Sequence, residues 1–169
     1  MTTPFPSPTV PAADRTEVFL RYLDYFRETA LAKVSALPEA ELRVTRLPSG
    51  WTPLELLKHL RHVELRWIEW GFQGREVAAP WGDRRGERWY VAPEETREEL
   101  VAALRSQGAH TTAVVSAHEL AEVGAPGPRW EGAEPASLER VLFHLLQEYA
   151  RHVGHLDVVT ELAGGPTGE

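Results

Sequence analysis

The sequence predicts an all-α protein, a bundle of four helices, and three observations carry that prediction. Four stretches of the chain repeat their apolar residues at helical spacing, and recognisable start signals precede them. No segment shows the strict apolar and polar alternation of a half-buried strand. The length of 169 residues suits a single apolar core, so one domain is sufficient.

The chain begins with a segment rich in proline and threonine, residues 1–12, which predicts a flexible N-terminal arm ahead of a single domain at 13–165. Helix one is expected from the N-cap residue Asp14 to about Ala36. Its apolar residues recur at helical spacing: Val18, Phe19, Tyr22, Leu23, Phe26, Ala30, Leu31 and Val34.

Helix two has the most complete start signal in the chain. Thr52 as N-cap, Pro53 at the first helical position and Glu55 three residues after the cap form a capping box. The helix is expected to run to about Trp70. Residues 71–93 then hold six Gly and Pro residues and no sustained period, which predicts a long connection between helices two and three. Long connections in compact domains are often functional.

The last two helices are predicted in the same way. Thr96 and Glu99 make a second capping box, and the apolar period that follows carries helix three to about His118. Ser137 is the expected cap of helix four, which continues through Leu162 and stops at a pair of glycines.

The composition of the chain argues against several classes of function. The apolar runs are too short to cross a bilayer, so the protein is expected to be soluble. A net charge of -7 argues against a nucleic-acid partner, because such binding depends on clustered Lys and Arg. With no cysteine in the chain, cytoplasm is the expected location, and any thiol chemistry needs a thiol from outside the protein.

Helix four carries polar residues directly beside its apolar stripe. His144, Glu148, His152 and His155 share the arc that adjoins the core-facing residues, and His59 lies among the inward residues of helix two. Burying a carboxylate is unfavourable unless it is paired, hydrogen-bonded or bound to a metal. The inward histidines and the glutamate therefore need partners, and they can partner one another.

Three of these residues form a candidate metal site. Glu148 and His152 are one helical turn apart on one face, and His59 could supply a third ligand from a facing helix. Two histidines and one carboxylate leave coordination positions open, as in catalytic Zn²⁺ and non-haem Fe(II) sites. The pattern lacks the repeated Glu-x-x-His pairs of di-iron bundles, so one metal is expected. Hydrogen-bonded histidines without a metal are the alternative.

The remaining histidines are predicted to lie outside this set. His62, one helical step from His59, is expected to face solvent or to support the ligands from behind. His110 and His118 near the end of helix three have no acidic neighbours on the same face, so both are expected at the surface.

Two segments resemble the DinB-like superfamily, and specifically an actinobacterial branch near the N-terminal domains of mycothiol-dependent maleylpyruvate isomerases. One segment leads into helix two and the other forms the polar arc of helix four, and together with their context they span nearly the whole chain. The matching residues are Pro48-Ser49-Gly50-Trp51-Thr52-Pro53 with Lys58-His59-Leu60, and Glu148-Tyr149-Ala150-Arg151-His152-Val153-Gly154-His155 with Asp157.

The resemblance implies a bundle of DinB type, with helices running up, down, down and up, and frequent homodimers. It also implies one divalent metal held by a residue of helix two and two of helix four, which are His59, Glu148 and His152 here. Zinc is the first expectation, with nickel, iron or manganese as alternatives. Many relatives carry His at the position of Glu148, whereas the maleylpyruvate isomerases use Glu, which favours mycothiol or another low-molecular-weight thiol as cosubstrate.

Three functions are compatible with these residues. The first is a metal-dependent thiol S-transferase or isomerase acting on a small molecule, in which His155 or His144 moves protons and Arg151 clamps a substrate carboxylate or makes a surface ion pair. The second is a hydrolase that uses metal-bound water. The third is a non-catalytic dimeric module that binds metal or a small ligand, with Trp81 and Trp89 at a pocket mouth.

Overall fold

The computed structural model describes residues 4–165, and within them the chain forms four long α-helices and one short hairpin, which confirms the predicted bundle. No helix in this part is long and apolar enough to cross a membrane. The helices are α1 Arg15–Ala36, α2 Pro53–Glu64, α3 Arg97–Ala117 and α4 Leu138–Leu162, and the strands are β1 Arg84–Arg85 and β2 Arg88–Trp89. Single 3₁₀ turns occupy Glu39–Glu41 and Pro128–Trp130.

The helices begin where their start signals predict. Asp14 Oδ1 accepts a hydrogen bond from the Glu17 amide at 2.9 Å. Thr52 and Glu55 hydrogen-bond to each other's backbone amides, with the Glu55 carboxylate 2.8 Å from the Thr52 amide. The predicted capping box is therefore present. Ser137 occupies the N-cap position of α4 but makes no side-chain capping bond. Local capping chemistry therefore sets three of the four helix starts in this part of the chain.

The second helix differs from its prediction in its last turns. Regular α-helix ends at Glu64, and the chain continues as a π-helical segment over Leu65–Phe72. The wider winding shows in the bond from the Gln73 amide to the Ile68 carbonyl, five residues back, at 2.9 Å. Segments of π-helix occur frequently at functional sites. This one carries Arg66 and the residues that follow it into the neighbourhood of the polar arc.

Ion pairs between helix ends show that α1 and α4 run in the same direction. Arg15 at the start of α1 pairs with Glu139 at the start of α4 at 2.8 Å. Lys33 near the end of α1 pairs with Asp157 near the end of α4 at 2.5 Å. The first and last helices are therefore parallel neighbours. This arrangement agrees with the predicted up, down, down and up order.

The middle two helices are also parallel. Lys58 near the start of α2 pairs at 2.7 Å with Glu95, just before the start of α3. Parallel neighbours need a connection that returns along the length of the bundle. Residues 73–96 make that return, and the hairpin lies within them. The predicted absence of strands is wrong for this short hairpin, which is too small to show as sequence alternation.

A fully buried carboxylate lies at the centre of the bundle. Glu64 accepts hydrogen bonds from Arg27 at 3.0 Å, from Thr111 at 2.5 Å and from the Tyr149 hydroxyl. Burial and the neighbouring Glu64 raise the pKa of Tyr149 well above its ordinary value. Gly108 makes the network possible, because a Cβ at that position would collide with the Arg27 guanidinium. Residue spacing along the helices does not predict this network, because its members come from four different helices.

The described part of the N-terminal arm lies against α1. Phe5 contacts the rings of Tyr22 and Tyr25 edge-on, at centroid distances of 6.3 Å and 5.3 Å. Arg21 donates a hydrogen bond to the Pro11 carbonyl at 2.9 Å. Residues 1–3 of the arm fall outside the described residues, and its flexibility stays a prediction.

Candidate metal centre

The three residues predicted as metal ligands meet between antiparallel α2 and α4. His152 Nε2 lies 3.1 Å from Glu148 Oε2, and His59 Nε2 lies 3.7 Å from the same oxygen. One potential ligand atom from each residue falls within 4.8 Å of the others, a spacing that a single ion can bridge. His59 and His152 are buried, and Glu148 is partly buried. The structure brings the predicted set together, and metal binding itself stays a prediction.

Asp83 orients the first of these ligands. His59 Nδ1 donates a hydrogen bond to Asp83 Oδ2 at 2.9 Å, so the neutral ring carries its proton on Nδ1. Nε2 is then an unprotonated lone pair, and it is buried without a hydrogen-bond partner. Trp89 of β2 stacks on the ring at 4.1 Å and holds its plane. A histidine fixed by a carboxylate in this way is the usual arrangement of a metal-ligating imidazole.

Asp83 is itself ionised and held in place. Burial would raise the pKa of Asp83, but hydrogen bonds from His59 and Arg66 outweigh it and lower the pKa to about 2. Arg66 donates to both oxygens, at 2.7 Å and 3.2 Å. The sequence analysis placed Asp83 in the long connection but did not assign it a role. The spacing of residues along the chain does not show which side chains meet across that connection. The contact between Asp83 and His59 therefore appears only in the three-dimensional structure.

Glu148 is also ionised. The neighbouring side chains of His152 and His59 hold the pKa of Glu148 well below its usual range, although burial opposes them. His144 adds a third imidazole, with Nε2 3.6 Å from Glu148 Oε1. The carboxylate with the imidazoles of His59 and His152 is a donor set that suits Zn²⁺ and other divalent transition metals. The residues present therefore fit a metal ion.

Comparison with known proteins identifies the family. The model of the mycothiol S-transferase family matches residues 18–165. The chain belongs to this family. A search of curated proteins found no match.

Among solved structures, the chain is similar to YfiT from Bacillus subtilis, with a TM-score of 0.65 and 13% sequence identity. The similarity covers 96% of this chain and 95% of YfiT. YfiT is described as "a probable metal-dependent hydrolase with an unusual four-helix bundle topology". The shared fold and the family match confirm the resemblance to the DinB-like superfamily and the predicted topology.

The three residues predicted to assist catalysis, His155, His144 and Arg151, differ in how deeply their side chains are buried. The His155 ring is 5.7 Å from that of His152, and its Nδ1 is buried without a partner. Burial lowers the pKa of His155, and it also lowers the pKa of His144, whose ring lies 4.4 Å from that of Trp67. Arg151 is exposed and makes no ion pair with residues 4–165, so its clamping role stays a prediction.

The position of His62 differs from the solvent exposure expected for it. Of the two positions predicted for His62, exposure to solvent is wrong, because only 4% of the residue is accessible, and a supporting role behind the ligands stays a prediction. Nδ1 donates to the Lys58 carbonyl at 2.9 Å, and Nε2 lies 3.2 Å from Arg61 Nη1. The long connection covers the ring so closely that a Cβ at Gly82 would lie 2.8 Å from its Nε2. Helical periodicity alone does not show which outward face a loop will cover.

His110 and His118 lie outside the ligand set, as predicted. His110 Nε2 is 2.9 Å from Gln73 Oε1, and His118 Nδ1 is 2.9 Å from Glu122 Oε2. Both side chains are partly exposed. Each histidine has a local polar partner and needs no metal to satisfy it.

A pocket of about 410 Å³ opens beside the centre in this mycothiol S-transferase family member. Trp51 and Trp89 line it, and the same Trp89 ring stacks on His59. Trp89 therefore lies between the pocket and the candidate metal centre, in line with its predicted place at a pocket mouth. Trp81 has another contact, since its ring lies 4.4 Å from the Arg66 guanidinium.

Proposed function

We propose that the chain is a metal-dependent enzyme that transfers a low-molecular-weight thiol of the mycothiol type, as an S-transferase or isomerase. The observation that carries the proposal is the buried, unpartnered Nε2 of His59, which faces an ionised Glu148 and His152. Family membership supports the choice of thiol. A metal bound there would lower the pKa of a coordinated thiol and so supply a thiolate nucleophile at neutral pH.

Residues of the chain orient the metal ligands and accept the thiol proton. Asp83 fixes the His59 tautomer, so that Nε2 presents a lone pair. Glu148 stays ionised and can balance part of an ion's charge. We assign His155 the transfer of the thiol proton, because its ring adjoins His152 and its Nδ1 is unpartnered. Low pKa favours the neutral form of His155, which can accept a proton.

Zinc is the preferred ion, because two histidines and one carboxylate are a common ligand set of catalytic zinc sites. The same donors also accommodate nickel, iron and manganese. Three protein ligands leave a position for a small-molecule substrate. That position would also admit water, so metal-dependent hydrolysis is the competing enzymatic function.

The first experiment measures metal content. Wild type, His152→Ala and the control His110→Ala would be purified without chelator and assayed by elemental analysis. Wild type and His110→Ala should hold about one divalent ion per chain, and His152→Ala should hold far less, because a ligand is lost. If wild type binds no Zn²⁺, Ni²⁺ or Mn²⁺ even after addition, the metal assignment fails and the non-catalytic module replaces it.

The second experiment measures thiol consumption. Metal-loaded and metal-free wild type would be incubated with mycothiol and a fluorogenic alkyl halide, with His152→Ala and His110→Ala in parallel. Metal-dependent consumption of thiol in wild type and His110→Ala alone supports transfer. Hydrolysis of ester or amide substrates at the same rate with and without mycothiol would instead favour the hydrolase.

We further propose a homodimer in the cytoplasm. The cytoplasmic assignment rests on the absence of cysteine from the sequence. The exposed side of α4 presents Phe143, Val158 and Leu162, and apolar side chains exposed on one helix are candidates for a subunit contact. Light scattering of wild type and Phe143→Ser tests this, and a monomeric wild type would refute the dimer.

A further inference from the structure

A half-buried arginine beside the candidate metal centre has no carboxylate partner among residues 4–165. Arg129 lies on the 3₁₀ turn Pro128–Trp130 between α3 and α4. Its guanidinium carbon is 3.9 Å from the centroid of the Trp67 ring and 5.9 Å from that of Trp70. Nε is buried and makes no hydrogen bond, and Arg129 forms no ion pair with residues 4–165.

One indole ring links this arginine to the centre. The Trp67 ring that contacts Arg129 is also 4.4 Å from the His144 ring. His144 Nε2 is in turn 3.6 Å from Glu148 Oε1. One indole ring therefore separates the guanidinium from the polar arc of α4.

The neighbouring charges leave Arg129 with excess positive charge. Burial lowers the pKa of Arg129, and the positive charge of Arg66 lowers it further, while the exposed Glu131 partly offsets both. Arg66 directs its own donors to Asp83 and so cannot share a carboxylate with Arg129. An unpaired cation removed from water is unfavourable until an anion meets it.

Arg27 is a useful comparison, because it has the carboxylate acceptor that Arg129 lacks among residues 4–165. Arg27 is buried in the same bundle and donates hydrogen bonds to both oxygens of Glu64. Arg129 has the aromatic packing of a fixed guanidinium but no such acceptor. Stacking on a ring orients a guanidinium while leaving its edge donors available for a planar carboxylate.

We infer that Arg129, oriented by Trp67 and Trp70, binds a carboxylate group of the substrate beside the candidate metal centre. The inference rests on the proposed function for its site, and it adds a substrate class, a carboxylate-bearing small molecule. It also moves the predicted carboxylate clamp from exposed Arg151 to a partly buried residue that stacks on Trp67.

The test is a binding titration with maleate, a small dicarboxylate, and with its uncharged diamide. Protein freed of metal on a chelating resin would be titrated first, so that failure of the metal proposal does not affect the result. Fluorescence of the tryptophans that flank Arg129 reports binding. Arg129→Gln is the test variant, and Arg105→Gln removes an exposed arginine that pairs with Glu28 on the surface.

Wild type and Arg105→Gln should bind maleate with equal affinity, and Arg129→Gln should bind at least about tenfold more weakly, since a charge-assisted bidentate pair is lost. The diamide should bind wild type and Arg129→Gln equally. If Arg129→Gln does not fold by circular dichroism, Arg129→Lys is used, and it must weaken maleate several-fold because an ammonium cannot bond bidentately. Equal maleate affinity in the folded variant, or no saturable binding to wild type, would overturn the inference.

Discussion

Two buried polar clusters lie in the same bundle, and they differ in how completely their hydrogen-bonding groups are satisfied. Around Glu64, one oxygen accepts from Arg27 Nε at 3.0 Å and from Tyr149, and the other accepts from Arg27 Nη2 at 3.3 Å and from Thr111 at 2.5 Å. Every partner belongs to a different helix from Glu64. A network of this kind ties the helices together and leaves nothing for a ligand to bind.

The candidate metal centre also contains a glutamate, Glu148, but its other members are histidines with unpaired nitrogens. His59 Nε2 and His152 Nδ1 are buried without hydrogen-bond partners, although Glu148 lies beside both rings. Buried polar groups in folded proteins are nearly always paired, so these two nitrogens mark the difference from the Glu64 network. The comparison shows that the two clusters, both buried and charged, differ in whether their polar atoms have hydrogen-bond partners within the described residues.

The largest expected effect is on the Glu64 network. Arg27→Met leaves Glu64 as a buried carboxylate with only neutral donors, and it should lower the free energy of unfolding by about 3–5 kcal/mol. Urea denaturation measures the change, with the surface variant Arg105→Met as control. Metal content of the folded fraction should not change. A loss of stability no larger than that of the control would mean that the network is not structural.

A smaller effect is expected at the residue that orients His59. Asp83→Asn keeps the shape of the side chain but removes its charge, and it should weaken metal affinity by about 10–100-fold. Competition with a chromophoric chelator measures the affinity of wild type and variant. The matched control is Glu95→Gln, a carboxylate in the same connection that pairs with Lys58 instead. Unaltered affinity in Asp83→Asn would show that the His59 contact does not support the site.

The smallest effect concerns pH and His62. Burial lowers the pKa of His62 from its ordinary 6.5 to about 4, despite the hydrogen bond to the Lys58 carbonyl. Between these values the unfolded chain binds more protons than the folded one, so His62 makes stability fall as pH drops from about 6.5 to 4. His62→Asn, which can still donate to Lys58, should reduce that slope by up to about 1.4 kcal/mol per pH unit, the limit for a single titrating group.

Unfolding free energies of wild type and His62→Asn at several pH values give this difference directly. His110→Asn serves as control, since that ring is partly exposed and bonds to Gln73. Parallel pH profiles for wild type and His62→Asn would show that His62 is accessible to protons in the folded protein, contrary to its burial.

The sequence by itself determined the helices, because their signals are local. The capping boxes at Thr52 and Thr96 and the apolar period of each helix depend on residues within one or two turns. The same periodicity placed His59, Glu148 and His152 inward, since a helical face follows from spacing alone. Recognition of the family motif then related the two helices to each other.

The tertiary structure decided what surrounds those residues. Asp83 reaches His59 and the loop covers His62 because parallel α2 and α3 need a long return across the bundle. Arg129 contacts Trp67 from a different segment, the connection between α3 and α4. These contacts join residues far apart in the chain, and no local energy term specifies their distances. Residue spacing along a helix constrains which side chains share a face, whereas the path of a connection depends on packing of the whole domain.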